Sequence, residues 1–208
     1  MSSRRFPGKV LAPFRGRPLI AHVVSAARLA LPGVEPVVVT SDDATDAPLV
    51  AYLAAEGVVC FRGPLDDVLG RLVACLDRHP CDWVLRLCGD SPLLSPALLR
   101  AVVEQRSDEA ELVTTIAPRT FPRGQNAELI RGSALRDAAA QATASDDREH
   151  VTPWIHRRGK LVAVRSTDPS LASHSIAVDT VEDLQRLEAL DAAALERLAS
   201  PPIAEAAR

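Results

Sequence analysis

The feature that most constrains this chain is its rhythm. Short apolar runs of β type alternate with segments of helical period, and most runs end in a polar residue or glycine. Leu19, Ile20, Val23, Val24 and Ala27 carry helical spacing from Pro18 to about Leu31. A strand is predicted over Pro36 to Thr40, a helix over Thr45 to Glu56 stopped by Gly57, and a strand over Val58 to Phe61. The amphipathic stretch from Asp66 to His79 leads into a strand at Trp83 to Leu87. Ser95 with Pro96 starts a further helix, as an N-cap followed by a first-turn proline does. Strands are then expected at Leu112 to Ile116, Leu161 to Arg165 and Ile176 to Val178. Helices are expected at Ser133 to Ala142, Asp146 to Arg158, and from Thr180, where Asp183 completes a capping box. Such alternation implies an α/β fold, a mostly parallel sheet with helices on both faces. The prolines and glycine from Pro118 to Gly124 break the rhythm before a short strand at Ala127 to Ile130, which reads as a hairpin or arm. One domain over 1–195 is expected, with the arm at about 118–158 and a frayed tail over 196–208.

Composition narrows the partners. A net charge of −3 excludes a general polyanion binder, and 3% aromatic residues supply few stacking platforms, so no nucleic acid is expected. No apolar run reaches the roughly 20 residues that span a bilayer, and the N-terminus lacks an apolar signal region, so no membrane is expected and the cytoplasm is the expected location. Cys60, Cys75, Cys81 and Cys88 form no metal or redox spacing and read as reduced, mostly buried thiols.

Chemistry is expected at the ends of the strands, where open α/β sheets bind ligands. The stretch Arg5-Phe6-Pro7-Gly8-Lys9 is a basic loop ahead of the first helix, an arrangement suited to phosphate. Lys9 and Lys160 are the lysines in a chain whose other basic residues are arginine, which singles out the compact ammonium of Lys9. Such a loop normally follows a buried strand, and too little chain precedes it here, so a sheet without that strand is expected. Ser41, Arg62, Asp90 and Asp179 stand just past predicted strands. Asp90 and Asp179 would together suit a hard cation such as Mg²⁺, which takes one or two carboxylates and completes its shell with phosphate oxygens and water. Asp179-Thr180 equally suits a plain helix cap. Arg86 suits either solvent or a paired carboxylate, and the cluster Asp146 to His150 a solvated helix start.

Seven motifs in order then resemble one family. Arg5-Phe6-Pro7-Gly8-Lys9-Val10-Leu11 is similar to the signature loop of the cytidylyltransferases that activate acidic sugars, in particular the spore coat polysaccharide biosynthesis protein F group. It is followed by Thr40-Ser41-Asp42-Asp43, Phe61-Arg62-Gly63 with Asp66-Asp67-Val68-Leu69, and Leu85 to Leu93. Arg119 to Gly124, Asp147 to Pro153 and Val178 to Leu184 complete the series. The resemblance implies a Rossmann-like, glycosyltransferase-A-type nucleotidyltransferase fold. It implies an enzyme in which a sugar acid attacks the α-phosphate of CTP, giving a CMP-conjugate and pyrophosphate. By the same resemblance, Arg5 and Lys9 hold the triphosphate, and Asp90 and Asp179 hold Mg²⁺, with Lys9, Arg5 and Asp90 as catalytic residues. Ser41, Arg62, Asp67 and Arg86 would line the nucleotide. Arg123, Glu128, Arg148, Glu149 and His150 would face the acidic acceptor, and the arm would meet the other subunit of a homodimer. Relatives commonly carry Gly-Leu-Asp-Val-Glu where this chain has Gly124-Gln125-Asn126-Ala127-Glu128, which points to a different choice of acceptor. Two other functions fit parts of the chain: a glycosyltransferase, against which the triphosphate-type loop speaks, and a non-catalytic nucleotide-binding subunit.

Overall fold

The computed structural model describes Ser3 and residues 5–204. A 3₁₀ turn at Lys9–Leu11 precedes a hairpin of β1 (Pro13–Phe14) and β2 (Arg17–Pro18). Then come α1 (Leu19–Ala30), β3 (Val37–Ser41), α2 (Ala47–Ala55), β4 (Val59–Gly63), α3 (Val68–Arg78), β5 (Trp83–Leu87) and α4 (Pro96–Glu104). The second half holds β6 (Leu112–Thr114), β7 (Ala127–Arg131), α5 (Gly132–Gln141), α6 (Ser145–His150), α7 (Pro153–His156), β8 (Leu161–Ala163), α8 (Val181–Glu188) and α9 (Ala192–Ala199).

The sheet runs β5-β7-β6-β8, with β6 and β8 parallel and β7 antiparallel to both its neighbours. Side chains alternate across it, as the period of a strand requires. Leu85, Val113 and Leu129 point to a cluster with Val23, Ala26 and Ala30 of α1 and Leu98, Leu99 and Val102 of α4. Val84, Leu112 and Ile130 point the other way, to Leu69 and Leu76 of α3, Leu135 of α5 and Ile155 of α7. Helices thus cover both faces. β3 and β4 form a separate parallel pair. α1 spans the two sheets, since its Ile20 and Val24 pack with Val38, Leu53 and Cys60. Among the described residues β3 and β5 each lack a ladder partner on one edge, and Val37 to Val39 and Trp83 to Leu87 are only half-buried. Among the described residues no strand precedes Pro13.

Four local expectations change. The basic loop does not feed α1 directly, because the β1–β2 hairpin intervenes. The segment expected as an arm supplies β7, an inner strand whose Ala127, Leu129 and Ile130 are buried. The single helix expected over Asp146 to Arg158 is two, broken at Val151 with φ 75° just ahead of Pro153, which has no N–H to continue a helix. The expected tail is docked as far as the description reaches. Leu195 and Leu198 of α9 enter a third cluster with Phe14, Leu171, Ile176 and Leu187, and Ala204 N donates to Arg165 O at 2.8 Å. Residues 205–208 of that tail lie outside the described residues. Of the cysteines, Cys75 is buried and Cys81, in the turn before β5, is exposed; all four are free thiols.

Candidate active site

β5 ends at Leu87, and the chain turns through Cys88 and Gly89 to Asp90. A Cβ on Gly89 would stand 3.3 Å from Ile20 Cδ1 and 3.5 Å from Val10 Cγ1. The 3₁₀ turn after Gly8 thus lies against the end of β5. That contact carries Lys9 over Asp90. From the other side comes the extended segment Ile176 to Val178, which is pinned rather than laddered: Ile176 N donates to Arg123 O at 2.7 Å and Val178 N to Asp90 O at 2.9 Å. Asp179 therefore emerges beside Asp90. The Asp183 carboxylate then accepts from the Asp179 N–H at 3.0 Å and from the Thr180 N–H at 3.1 Å, and the Thr180 hydroxyl accepts from the Asp183 N–H, closing the capping box. The cap and the site residue are one device, since the cap sets the Asp179 backbone.

The result is a cluster built from three distant parts of the chain. Lys9 Nζ donates to Asp90 Oδ2 at 2.7 Å and to Asp179 Oδ1 at 2.9 Å, and Arg5 reaches Asp179 Oδ1 at 3.2 Å. Burial by itself would lower the Lys9 ammonium, but the Asp90 and Asp179 carboxylates outweigh it and hold its pKa above the ordinary value. The hydrogen bond from Lys9 holds the Asp179 carboxyl below its ordinary range, against some desolvation, and Arg5 adds to the effect. Asp90 Oδ1 also accepts from the buried Ser91 hydroxyl at 3.1 Å. Two carboxylate oxygens within reach of one positive centre form a hard-oxygen pair of the kind that takes a divalent cation along with phosphate oxygens and water. No group of three or more His, Cys, Asp or Glu gathers among the described residues, so the protein offers this pair and no closed metal cage.

The other expected residues lie outside this cluster, some of them paired with one another. Ser41 is buried and its hydroxyl donates to Asp46 at 2.6 Å. Arg62 lies across the ends of β3 and β4, donating to the Ser41 and Asp43 carbonyls at 3.0 Å each. Asp67 caps α3 through the Gly70 N–H at 2.8 Å and forms a two-pronged ion pair with Arg148. Arg148 also donates to Ala139 O, so both partners have their hydrogen bonds inside the protein. Arg86 and Glu128 are cross-strand partners, joined at 2.5 Å. Glu149 and His150 lie exposed on α6, where His150 approaches Asp146 at 3.5 Å. Arg123 is exposed on the loop before β7, held by the bridge to Ser175.

A family model described as cytidylyltransferase matches residues 1–200. This chain belongs to the cytidylyltransferase family. It is 30% identical over 206 residues to the spore coat polysaccharide biosynthesis protein SpsF of Bacillus subtilis (strain 168), covering 95% of this chain and 85% of that protein. It is 39% identical over 118 residues to a 3-deoxy-manno-octulosonate cytidylyltransferase of Anaeromyxobacter sp. (strain Fw109-5), a match over 56% of this chain and 47% of that protein. Among solved structures, a cytidylyltransferase from Leptospira borgpetersenii superposes with a TM-score of 0.85 at 25% identity, over 90% of this chain and 81% of that one. The fold is thus the α/β nucleotidyltransferase fold of the family, and the chain is a nucleotidyltransferase by membership.

Several residues of this cytidylyltransferase that shape the site carry little signal in sequence. Glu128 is 3% exposed and accepts from the Thr152 hydroxyl at 2.7 Å as well as from Arg86, with His156 Nε2 3.5 Å away. Burial would raise the Glu128 carboxyl, but His156, Arg86 and Thr152 outweigh it and hold it below its ordinary value. Gln125 is buried and ties three segments together: its side chain accepts from Ser95 N at 2.9 Å and donates to Leu93 O at 2.8 Å and Leu198 O at 2.9 Å. Gly124, with φ +101°, sits where a Cβ would lie 2.7 Å from Ala177 N, so it is the close approach that seats the Arg123 loop against the Asp179 segment.

Proposed function

We propose that this cytidylyltransferase activates an acidic sugar with CTP in a Mg²⁺-dependent reaction, releasing pyrophosphate and a CMP-conjugate. The observation that carries the reading is the convergence of Asp90 and Asp179 on the Lys9 ammonium, with Arg5 at the rim. Arg5 and Lys9 supply positive charge to the triphosphate. Asp90 and Asp179 would hold the Mg²⁺ ion, which when bound draws charge from the phosphate oxygens and makes the α-phosphorus more electrophilic. An acceptor oxygen attacks the α-phosphorus, the bond to the oxygen bridging to the β-phosphorus breaks, and that oxygen leaves with pyrophosphate while the proton of the acceptor hydroxyl passes to solvent. The protein's part is positioning and charge compensation, as in phosphoryl transfer generally. Lys9 is suited to this because its ammonium is mobile and can follow charge from the ground state to the leaving group. The same reading takes a homodimer in the cytoplasm, which light scattering and fractionation test. No described helix is long and apolar enough to cross a membrane.

The test is pyrophosphate release from CTP, Mg²⁺ and a panel of acidic sugars, run beside thermal unfolding with CTP, ATP, GTP and UTP. A ligand at about 100 times its dissociation constant adds roughly 2.7 kcal/mol of stability. A CTP-selective shift that needs Mg²⁺, together with pyrophosphate release on adding one acid, supports the reading. A folded protein that shows no preference among the nucleotides overturns it.

A further inference from the structure

Arg119 is the unusual cation of this site. It lies in the loop after β6, and its own bridge to Ile116 holds it there. β5 and β6 both run antiparallel to β7, so their C-terminal ends lie on the same edge of the sheet. That edge is the one past which Asp90 stands. Arg119 is half-buried, yet among the described residues no carboxylate lies within ion-pair distance of it. Among the described residues its one side-chain hydrogen bond runs from Nη1 to the amide oxygen of Asn126, at 2.8 Å. Asn126 directly precedes β7 and shares a face with Glu128, two residues on. Glu128 acts on Arg119 through space but forms no ion pair with it. It already takes Arg86 at 2.5 Å and Thr152 at 2.7 Å. Arg123, close enough to act on Arg119 electrostatically, adds a like charge.

The local balance is therefore three guanidiniums, Arg86, Arg119 and Arg123, against the carboxylate of Glu128. A partly desolvated guanidinium with a neutral partner and open N–H donors is an incomplete arrangement, and a carboxylate completes it by a forked, charge-assisted pair. We propose that Arg119 is the residue that receives the carboxylate of the acceptor, and that Asn126 keeps it open by holding the guanidinium without neutralising it. An aspartate at 126 would place a carboxylate where the amide oxygen now is and would occupy Arg119 permanently. The inference rests on the reading of an acidic acceptor and names where its charge goes.

The test uses a ligand that does not depend on knowing the acceptor. Pyruvate is a small acid with a carboxylate on an electrophilic carbonyl carbon, and pyruvamide is its neutral counterpart. Binding of both is followed by ligand-observed NMR to the wild-type chain, Arg119→Gln, Arg119→Lys and Asn126→Asp. The expected result is that the wild type binds pyruvate over pyruvamide. Arg119→Gln and Asn126→Asp each weaken pyruvate by ~10-fold or more, the scale of a lost charged hydrogen bond. Arg119→Lys restores part of the loss, since it keeps the charge but not the fork. Unfolding with and without CTP confirms that each variant is folded and that nucleotide binding is unchanged. Equal pyruvate binding by all four proteins, or none by the wild type, overturns the assignment of Arg119 and leaves the CTP reading standing. Loss of CTP selectivity in the wild type with Arg119-dependent pyruvate binding does the opposite.

Discussion

Lys9→Met is the most telling perturbation, because it removes one charge and leaves two. The Lys9 side chain is 15% exposed and makes charged hydrogen bonds to Asp90, 24% exposed, and Asp179, 42% exposed. A hydrogen bond to a charged group contributes about 1.5–3 kcal/mol. The Asp90 bond keeps most of that, while the Asp179 bond is discounted because solvent already screens that carboxylate. The loss comes to about 2 kcal/mol, with a contribution from the two carboxylates, whose remaining cation is Arg5 at the rim. For a chain of this size that lowers Tm by roughly 4–8 °C. If the carboxylates share one cation site, Mg²⁺ takes the vacated position and restores most of the Tm in the variant while moving the wild type less. Turnover stays low whatever the metal, since the mobile charge on the triphosphate is gone. The assay is thermal unfolding of both proteins across a Mg²⁺ series, followed by pyrophosphate release. A Lys9→Met protein whose Tm falls but does not respond to Mg²⁺ any more than the wild type refutes the shared site.

Four further outcomes follow from the same geometry. The stability gap between wild type and Lys9→Met depends on pH at both ends. Lys9 is raised when folded, so its contribution is complete below the ordinary lysine value of ~10.4 and is lost as pH rises through the folded one. Asp179 is lowered when folded, so its contribution is complete above ~3.9 and is lost as pH falls through the folded value; the gap measured by denaturant unfolding is therefore flat across neutral pH. Arg86→Ala leaves Glu128 buried without its charged partner and costs about 3–5 kcal/mol in denaturant unfolding, whereas Arg86→Ala with Glu128→Gln recovers part of it. Gly124→Ala places a Cβ 2.7 Å from a backbone nitrogen at a φ of +101° and lowers stability by at least ~1 kcal/mol, shifting the Asp179 segment and depressing turnover more than CTP binding. Thr180→Ala removes a cap contributing about 1 kcal/mol, and its loss of activity exceeds what that destabilisation explains, because the same cap orients Asp179.

The alternation of elements was legible in the sequence because each element carries its own signal. The apolar period of α3, the Ser95–Pro96 start of α4 and the capping box of α8 all stand where their residues place them. What the local pattern does not carry is which strand lies beside which. Ala127 to Arg131 follows a Pro- and Gly-rich loop and so reads as peripheral, yet β7 pairs on both edges and carries the cross-strand partner of Arg86. Its buried run Ala127, Glu128, Leu129 and Ile130 has no alternation of polar and apolar residues, because both faces of the sheet are covered by helices and Glu128 is satisfied by partners from other elements. The C-terminal residues read as tail for a similar reason. The contacts of Leu195, Leu198 and Ala204 come from distant segments.

The site divides along the same line. Arg5, Lys9, Asp90 and Asp179 were legible because each follows a turn or strand end in a recognisable motif, and the fold brings those ends together. Asp67, Arg148, Arg86 and Glu128 share that kind of signal and yet pair with one another, which spacing could not show because the partners of each pair lie far apart in sequence. The fold gives different charge partners to residues that look alike in sequence. A guanidinium whose carboxylate is already in place serves the protein, as Arg86 and Arg148 do. One that is half-buried beside a neutral amide is arranged for something that arrives from outside. By that criterion Arg119 differs from Arg86 at this edge, since the side chain to which it donates among the described residues is the neutral Asn126.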